Sequence, residues 1–163
     1  EKIETLKKLL KDELRLRMKR NLIRYKTLLE LLENIIEEYE NNIINSTKVI
    51  ERLLELAKDI KSSEKAGNSL GLTEEEMAFY DAISVGKKIL QKDEKTKSLV
   101  KELVKVIKRD VSVDWTNNEI VKARIRADVR LLLLRNSFAP AENEILLDSI
   151  FQQARFLYAD YIK

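Results

Sequence analysis

Leu70-Gly71-Leu72-Thr73-Glu74-Glu75-Glu76-Met77-Ala78-Phe79-Tyr80-Asp81 is the stretch that shows where this chain turns and how it restarts. Gly71 is free to take the left-handed backbone values that end one element. Thr73, followed three positions later by Glu76, forms a capping box in which each side chain satisfies a free backbone N–H of the next helix. Leu72 before the cap and Met77 after it have the spacing of a hydrophobic staple. Glu74, Glu75 and Glu76 place negative charge at the positive end of the helix dipole. The stretch predicts a loop, then a helix with an acidic first turn that buries Met77, Phe79 or Tyr80, and Ile83.

Working outward, the chain has 163 residues, enough for one domain or a pair of tightly joined subdomains. Three Gly and one Pro leave little material for turns, while 36% charged and 44% hydrophobic residues suit amphipathic helices. The absence of Cys rules out disulfides and thiolate metal sites in this chain and suits a reducing, cytoplasmic setting. No apolar run approaches the roughly 18 residues of a membrane span, so no membrane partner is expected. A first residue of Glu rather than Met points to a piece of something larger. Net charge is +3 but unevenly placed. Residues 1–26 carry ten Lys or Arg against four acids, residues 27–60 three against eight, and residues 101–135 nine against five.

Upstream of the opening stretch, Ile3, Leu6, Leu10 and Leu14 share one helical face, and the pattern continues through Leu22, Tyr25, Leu32 and Ile36 to Tyr39. One helix or two is left open there. Asn41-Asn42 and Asn45-Ser46-Thr47 predict the first break, because short polar side chains compete for backbone hydrogen bonds. A helix then follows to about Ala66, with Val49, Leu53, Leu56 and Ile60 inward. Downstream, Asp93 is a cap candidate for a helix with Leu99, Leu103 and Val106 or Ile107 as its core stripe. Val111, Val113 and Trp115 alternate with polar residues and predict a short extended segment. Thr116 with Glu119 reads as a second capping box. Pro140 suits the first turn of the last helix, in which Leu147, Ile150, Ala154, Leu157 and Tyr161 form an inner face or a partner-binding face. The expectation is an all-α fold of about six helices, with a helical arm over residues 1–46 and a bundle over residues 47–163.

Without His or Cys, the commonest general base and thiol nucleophiles are missing, and Gly86-Lys87-Lys88 lacks the first glycine and the hydroxyl residue of a phosphate loop. Acidic pairs such as Glu37-Glu38 follow helix-surface and dipole rules rather than metal-ligand spacing. Two sets of residues rise above an ordinary helical surface. Lys101, Lys105 and Lys108, with Arg109, and Lys122, Arg126 and Arg130, with Arg124, form two basic sets that can meet phosphates along a duplex if they adjoin. Leu131 to Leu134, together with Phe151 and Phe156, exceed what one core stripe needs; Leu131, Leu134, Phe151 and Phe156 are the candidates for subunit docking.

The quoted stretch also resembles the C-terminal helical region of the restriction (R) subunit of type I restriction-modification enzymes. So do Val49 to Ile60 (VIERLLELAKDI), Asp93 to Thr116 (DEKTKSLVKELVKVIKRDVSVDWT) and the helix bearing Lys122, Arg124 and Arg126. The resemblance runs in order over roughly residues 30 to 135. It implies a non-catalytic region that docks the motor and nuclease subunit onto the methyltransferase and specificity subunits. It also implies that nuclease and translocase motifs using ATP and Mg²⁺ lie elsewhere in the subunit, so that no cofactor is expected in this chain. The rest of the R subunit and duplex DNA are the other implied partners. An alternative is a sequence-independent DNA-guiding element near the translocase, and a third is a structural brace for the motor.

Overall fold

The computed structural model describes residues 1–84, 94–138 and 140–160, without the side chains of residues 141 and 142. Among these residues the chain forms seven α-helices: α1 (Lys2–Arg17), α2 (Leu22–Glu40), α3 (Ser46–Ser63), α4 (Glu74–Ser84), α5 (Glu94–Asp110), α6 (Glu119–Arg135) and α7 (Pro140–Tyr158). Short 3-10 turns at Asn68–Leu70 and Trp115–Asn117 precede α4 and α6. The fold is all-α, and the N-terminal stretch is two helices. Asp93, Gly86 to Lys88, Tyr161 and Ile162 lie outside the described residues.

Local chemistry sets most helix starts. At α4 the Thr73 N–H donates to Glu76 Oε1 at 2.9 Å and the Glu76 N–H donates to Thr73 Oγ1 at 3.1 Å, the reciprocal box read from the sequence. Gly71 has φ +68°, the left-handed value that ends the preceding turn. Asn21 caps α2 by accepting from the Arg24 N–H, and Asn45 caps α3 by accepting from the Lys48 N–H.

Two local expectations are corrected. Residues 111–115 are not extended. Val111 and Trp115 are buried, but Val113 is 73% exposed, because Asp114 turns the backbone through φ 57° between them. Asn117 Nδ2 bonds Asp114 Oδ1 at 2.7 Å and holds that reversal. Nor does Thr116 cap α6. It lies inside the 3-10 turn, and Asn118 Oδ1 instead accepts from the Ile120 and Val121 N–H groups. The chain is still turning at Thr116, so helical phase begins only after Asn118.

The apolar side chains divide into two clusters. Leu10, Leu14, Tyr25, Leu32, Val49 and Leu53 belong to a core shared by α1, α2 and α3. Phe79, Ile83, Leu103, Ile107, Ile125 and Ile150 belong to a second core, enclosed by α4, α5, α6 and α7 packed in a ring. Ser46 and Thr47 open α3, which packs with α1 and α2 and shares their core. Arg17 ties the first core together. It pairs with Glu13 and Glu64 at 2.6 Å each, and its guanidinium lies 5.8 Å from the Tyr25 ring centroid.

α2 joins the two cores through packing on α4 and α7. At its first turn, Arg24 Nε and Asn21 Nδ2 both donate to Asp81 Oδ2 of α4, at 2.8 and 2.7 Å. The Leu22 N–H, one of the orphan donors of a helix start, finds the fully buried Gln153 Oε1 of α7 at 2.8 Å. This junction network joins residues far apart in sequence, and the sequence reading had no signal for it.

Candidate functional site

Among the described residues no group of three or more Asp, Glu, His or Cys side chains is placed to hold a metal ion. No described helix is long and apolar enough to cross a membrane. The features that stand out are exposed cations on α5 and α6 and exposed apolar side chains.

The two basic sets lie on α5 and α6, which pack against each other. On α5, Lys108 reaches Glu75 of α4 at 3.2 Å, while Lys101 and Lys105 are exposed and make no ion pair among the described residues. On α6, Arg130 pairs with Glu144 of α7 at 3.0 Å, and the Arg126 guanidinium stands 4.6 Å from the Phe151 ring centroid, also of α7. Lys122 pairs with Glu119 in its own first turn at 2.7 Å, and this hydrogen-bonded cation holds the Glu119 carboxyl below the usual carboxylate range. Lys108 thus turns to the α4 side and Arg126 and Arg130 to the α7 side, so these cations do not merge into one face. Arg124 is exposed and has no ion pair among the described residues.

Arg109 occupies the edge that α5 and α6 share. Its Nε lies 3.1 Å from Asp110 Oδ1 and its Nη2 lies 2.9 Å from Asp128 Oδ2. Asp110 is buried, and its Oδ2 lacks a hydrogen-bond partner. The neighbouring Asp110 carboxyl, by hydrogen bonding, and then burial push the Asp128 carboxyl up from its ordinary value. The 18-residue separation of Asp110 and Asp128 hides this pairing in the sequence.

The apolar candidates divide between surface and core. Leu131 and Leu134 are 47% and 46% exposed, and Phe156 is 42% exposed. Leu132 and Leu133, between the first two, are buried. Phe151 is buried in the second core. It packs edge-to-face on Trp115 at 5.7 Å, with Arg126 over its ring. Ile120, at 73% exposure, is an apolar surface residue on α6 that the sequence reading did not single out. A second apolar patch, also missed, is a 510 Å³ groove between the N-terminal halves of α1 and α3, lined by Leu6, Leu9, Ile50 and Leu54 among others. Leu6, on the helical face read from the sequence, is half-buried against the first core and also borders this groove.

Comparison with known proteins gives this geometry its context. Residues 1–160 match the family described as type I restriction enzyme HindI endonuclease subunit-like, C-terminal. The chain is 34% identical over 160 residues to a Methanocaldococcus jannaschii protein assigned as the type I restriction enzyme MjaIXP endonuclease subunit. It is 29% identical over 160 residues to the type I restriction enzyme HindI endonuclease subunit of Haemophilus influenzae. These alignments cover 96% and 97% of this chain but 15% of each relative. No solved structure matches the chain. The chain belongs to the family of HindI-like type I restriction enzyme endonuclease subunits, and corresponds to their C-terminal region.

Proposed function

We propose that this region serves assembly: it docks the endonuclease subunit onto the methyltransferase and specificity subunits and carries no catalytic step itself. In this reading the nuclease and ATP-driven translocase, with their ATP and Mg²⁺, occupy other parts of the subunit. The assembled complex works in the cytoplasm on unmodified foreign DNA. The observation that carries the reading is the splitting of the Leu131–Leu134 run. Leu132 and Leu133 close the core, while Leu131 and Leu134 remain outside it, beyond what folding uses. Gel filtration of the chain with the methyltransferase–specificity complex tests the proposal. Co-elution without DNA is the expected result. Separate elution, together with full assembly by an endonuclease subunit lacking this region, would overturn it.

A second reading, duplex contact, draws on Lys101 and Lys105, exposed one helical turn apart and unpaired among the described residues. Phosphate contacts of this kind are sequence-independent and salt-sensitive. Reversing both charges should lower duplex affinity and reduce the salt slope by about one per lost contact. Unchanged binding and slope would remove this reading.

A further inference from the structure

We propose that the outward stripe of α6, formed by Ile120, Arg124, Ala127, Leu131 and Leu134, is a seam that takes an acidic amphipathic helix of another polypeptide in the complex. The proposal rests on the assembly reading and specifies how that docking is made.

The five residues follow one another at steps of four, three, four and three, the 3.5-residue repeat of a helix-pairing seam. All five are exposed, over about 21 Å of helix. The opposite side of α6 carries the core residues Val121, Ile125, Val129 and Leu132. α6 is therefore apolar on two sides, and only the inner one is covered by α5 and α7. A solvated helix needs one apolar face for its core, and a second one at coiled-coil spacing matches a partner helix.

Charge identifies the partner. Of the cations on α6, Lys122 and Arg130 have acids beside them and Arg126 has the Phe151 ring. Arg124, inside the seam, and Arg135, at its edge beside Leu131 and Leu134, have no ion pair among the described residues. A helix laid along the stripe desolvates Arg124, which is costly unless the incoming helix brings a carboxylate to it. A second copy of this chain does not meet that need. The seam holds one cation and no acid, so a parallel pair would set Arg124 against Arg124. An antiparallel pair would set it against an apolar residue of the stripe.

The test uses the full endonuclease subunit with a photocrosslinking amino acid at Ala127, mixed with the methyltransferase–specificity complex and mapped by mass spectrometry. The expected crosslink falls on a helix of a different subunit that has Asp or Glu within one turn of the linked residue. Arg124→Glu and Leu131→Asp should each weaken association by at least about tenfold, with Arg124→Lys much milder. Both positions are exposed, and circular dichroism confirms that the variants are folded. A crosslink within the same subunit, to a second copy or to a surface without acids would overturn the seam. So would wild-type affinity in both variants. If association survives those variants but is lost when the region is deleted, the seam falls and the assembly reading stands. If the region can be deleted without loss, the assembly reading falls as well.

Discussion

Trp115 Nε1 donates a 2.7 Å hydrogen bond to the backbone carbonyl of Tyr158, 43 residues away, at the last residue of α7. The carbonyls of a final helical turn have no partner within their own helix, so the indole acts as a cap supplied from the 3-10 turn ahead of α6. Trp115 is fully buried and packs edge-to-face on Phe151, while Tyr158 stacks on Phe79 with ring centroids 6.1 Å apart. One side chain thus joins the entrance of α6, the end of α7 and, through Tyr158, α4. Trp115→Phe keeps much of the packing but removes the donor, for an expected loss of about 1–3 kcal/mol. Trp115→Ala should lose about 3–5 kcal/mol. Urea unfolding followed by far-UV circular dichroism measures both, since the chain has a single Trp.

Asp81 holds the two cores together. It receives both Asn21 and Arg24, and its side chain is 13% exposed. Asp81→Ala would leave the Arg24 guanidinium half-buried without its acid, at an expected cost of about 1–3 kcal/mol, between a surface pair and a buried one. Because the lost bonds lie between the cores, the unfolding transition should also broaden. A single sharp transition at wild-type midpoint would show that apolar packing alone couples them.

The glycines before α4 should fail for different reasons. Gly71 has φ +68° with open space around a would-be Cβ, so Gly71→Ala should cost about 1–2 kcal/mol in backbone strain. Asn, which tolerates that conformation better, should recover part of the loss. At Gly67 the backbone is ordinary, but a Cβ would lie 2.6 Å from the Leu72 carbonyl oxygen. Gly67→Ala should therefore cost about 1–3 kcal/mol, and Asn should give no recovery. Parallel thermal melts of the four variants separate the two mechanisms.

Asp128 gives a pH dependence of defined sign. Its folded-state pKa is raised, first by hydrogen bonding to Asp110 and then by burial and the Asp110 charge, with Arg109 opposing. A carboxyl with a raised pKa binds its proton more tightly in the folded chain than in the unfolded one. Its contribution to stability is present below the ordinary aspartate value and is lost as pH rises through the folded value. The stability of wild type relative to Asp128→Asn should therefore fall as pH climbs from acid toward neutral. Denaturant midpoints of both proteins across that range provide the check, and a constant difference would exclude the raised Asp128 pKa.

Removing the Thr73 cap tests the part of the fold most legible in sequence. Thr73→Ala should cost about 0.5–2 kcal/mol, and Thr73→Ser should be close to neutral. Glu76→Gln retains an acceptor for the Thr73 N–H and should be milder than Glu76→Ala. Chemical denaturation resolves differences of this size.

Elements whose cause lies within a few residues could be read directly. The Thr73–Glu76 box, the left-handed Gly71, the Pro140 helix start and the all-α class follow from short-range backbone chemistry and from apolar spacing. Where several local solutions compete, the sequence misleads. Thr116 and Asn118 both have cap chemistry, and the tight turn held by Asp114 and Asn117 decides for Asn118. Periodicity states which residues share a helical face but not what that face meets. Only tertiary packing turned Lys108 toward α4 and Arg130 toward α7, buried Phe151 beneath Arg126, brought Asp110 to Asp128 and left Leu131 and Leu134 outside the core. These outcomes depend on how whole helices rotate and pack against one another, and that rotation is fixed by the sum of many weak contacts across the ring rather than by any one stretch of sequence.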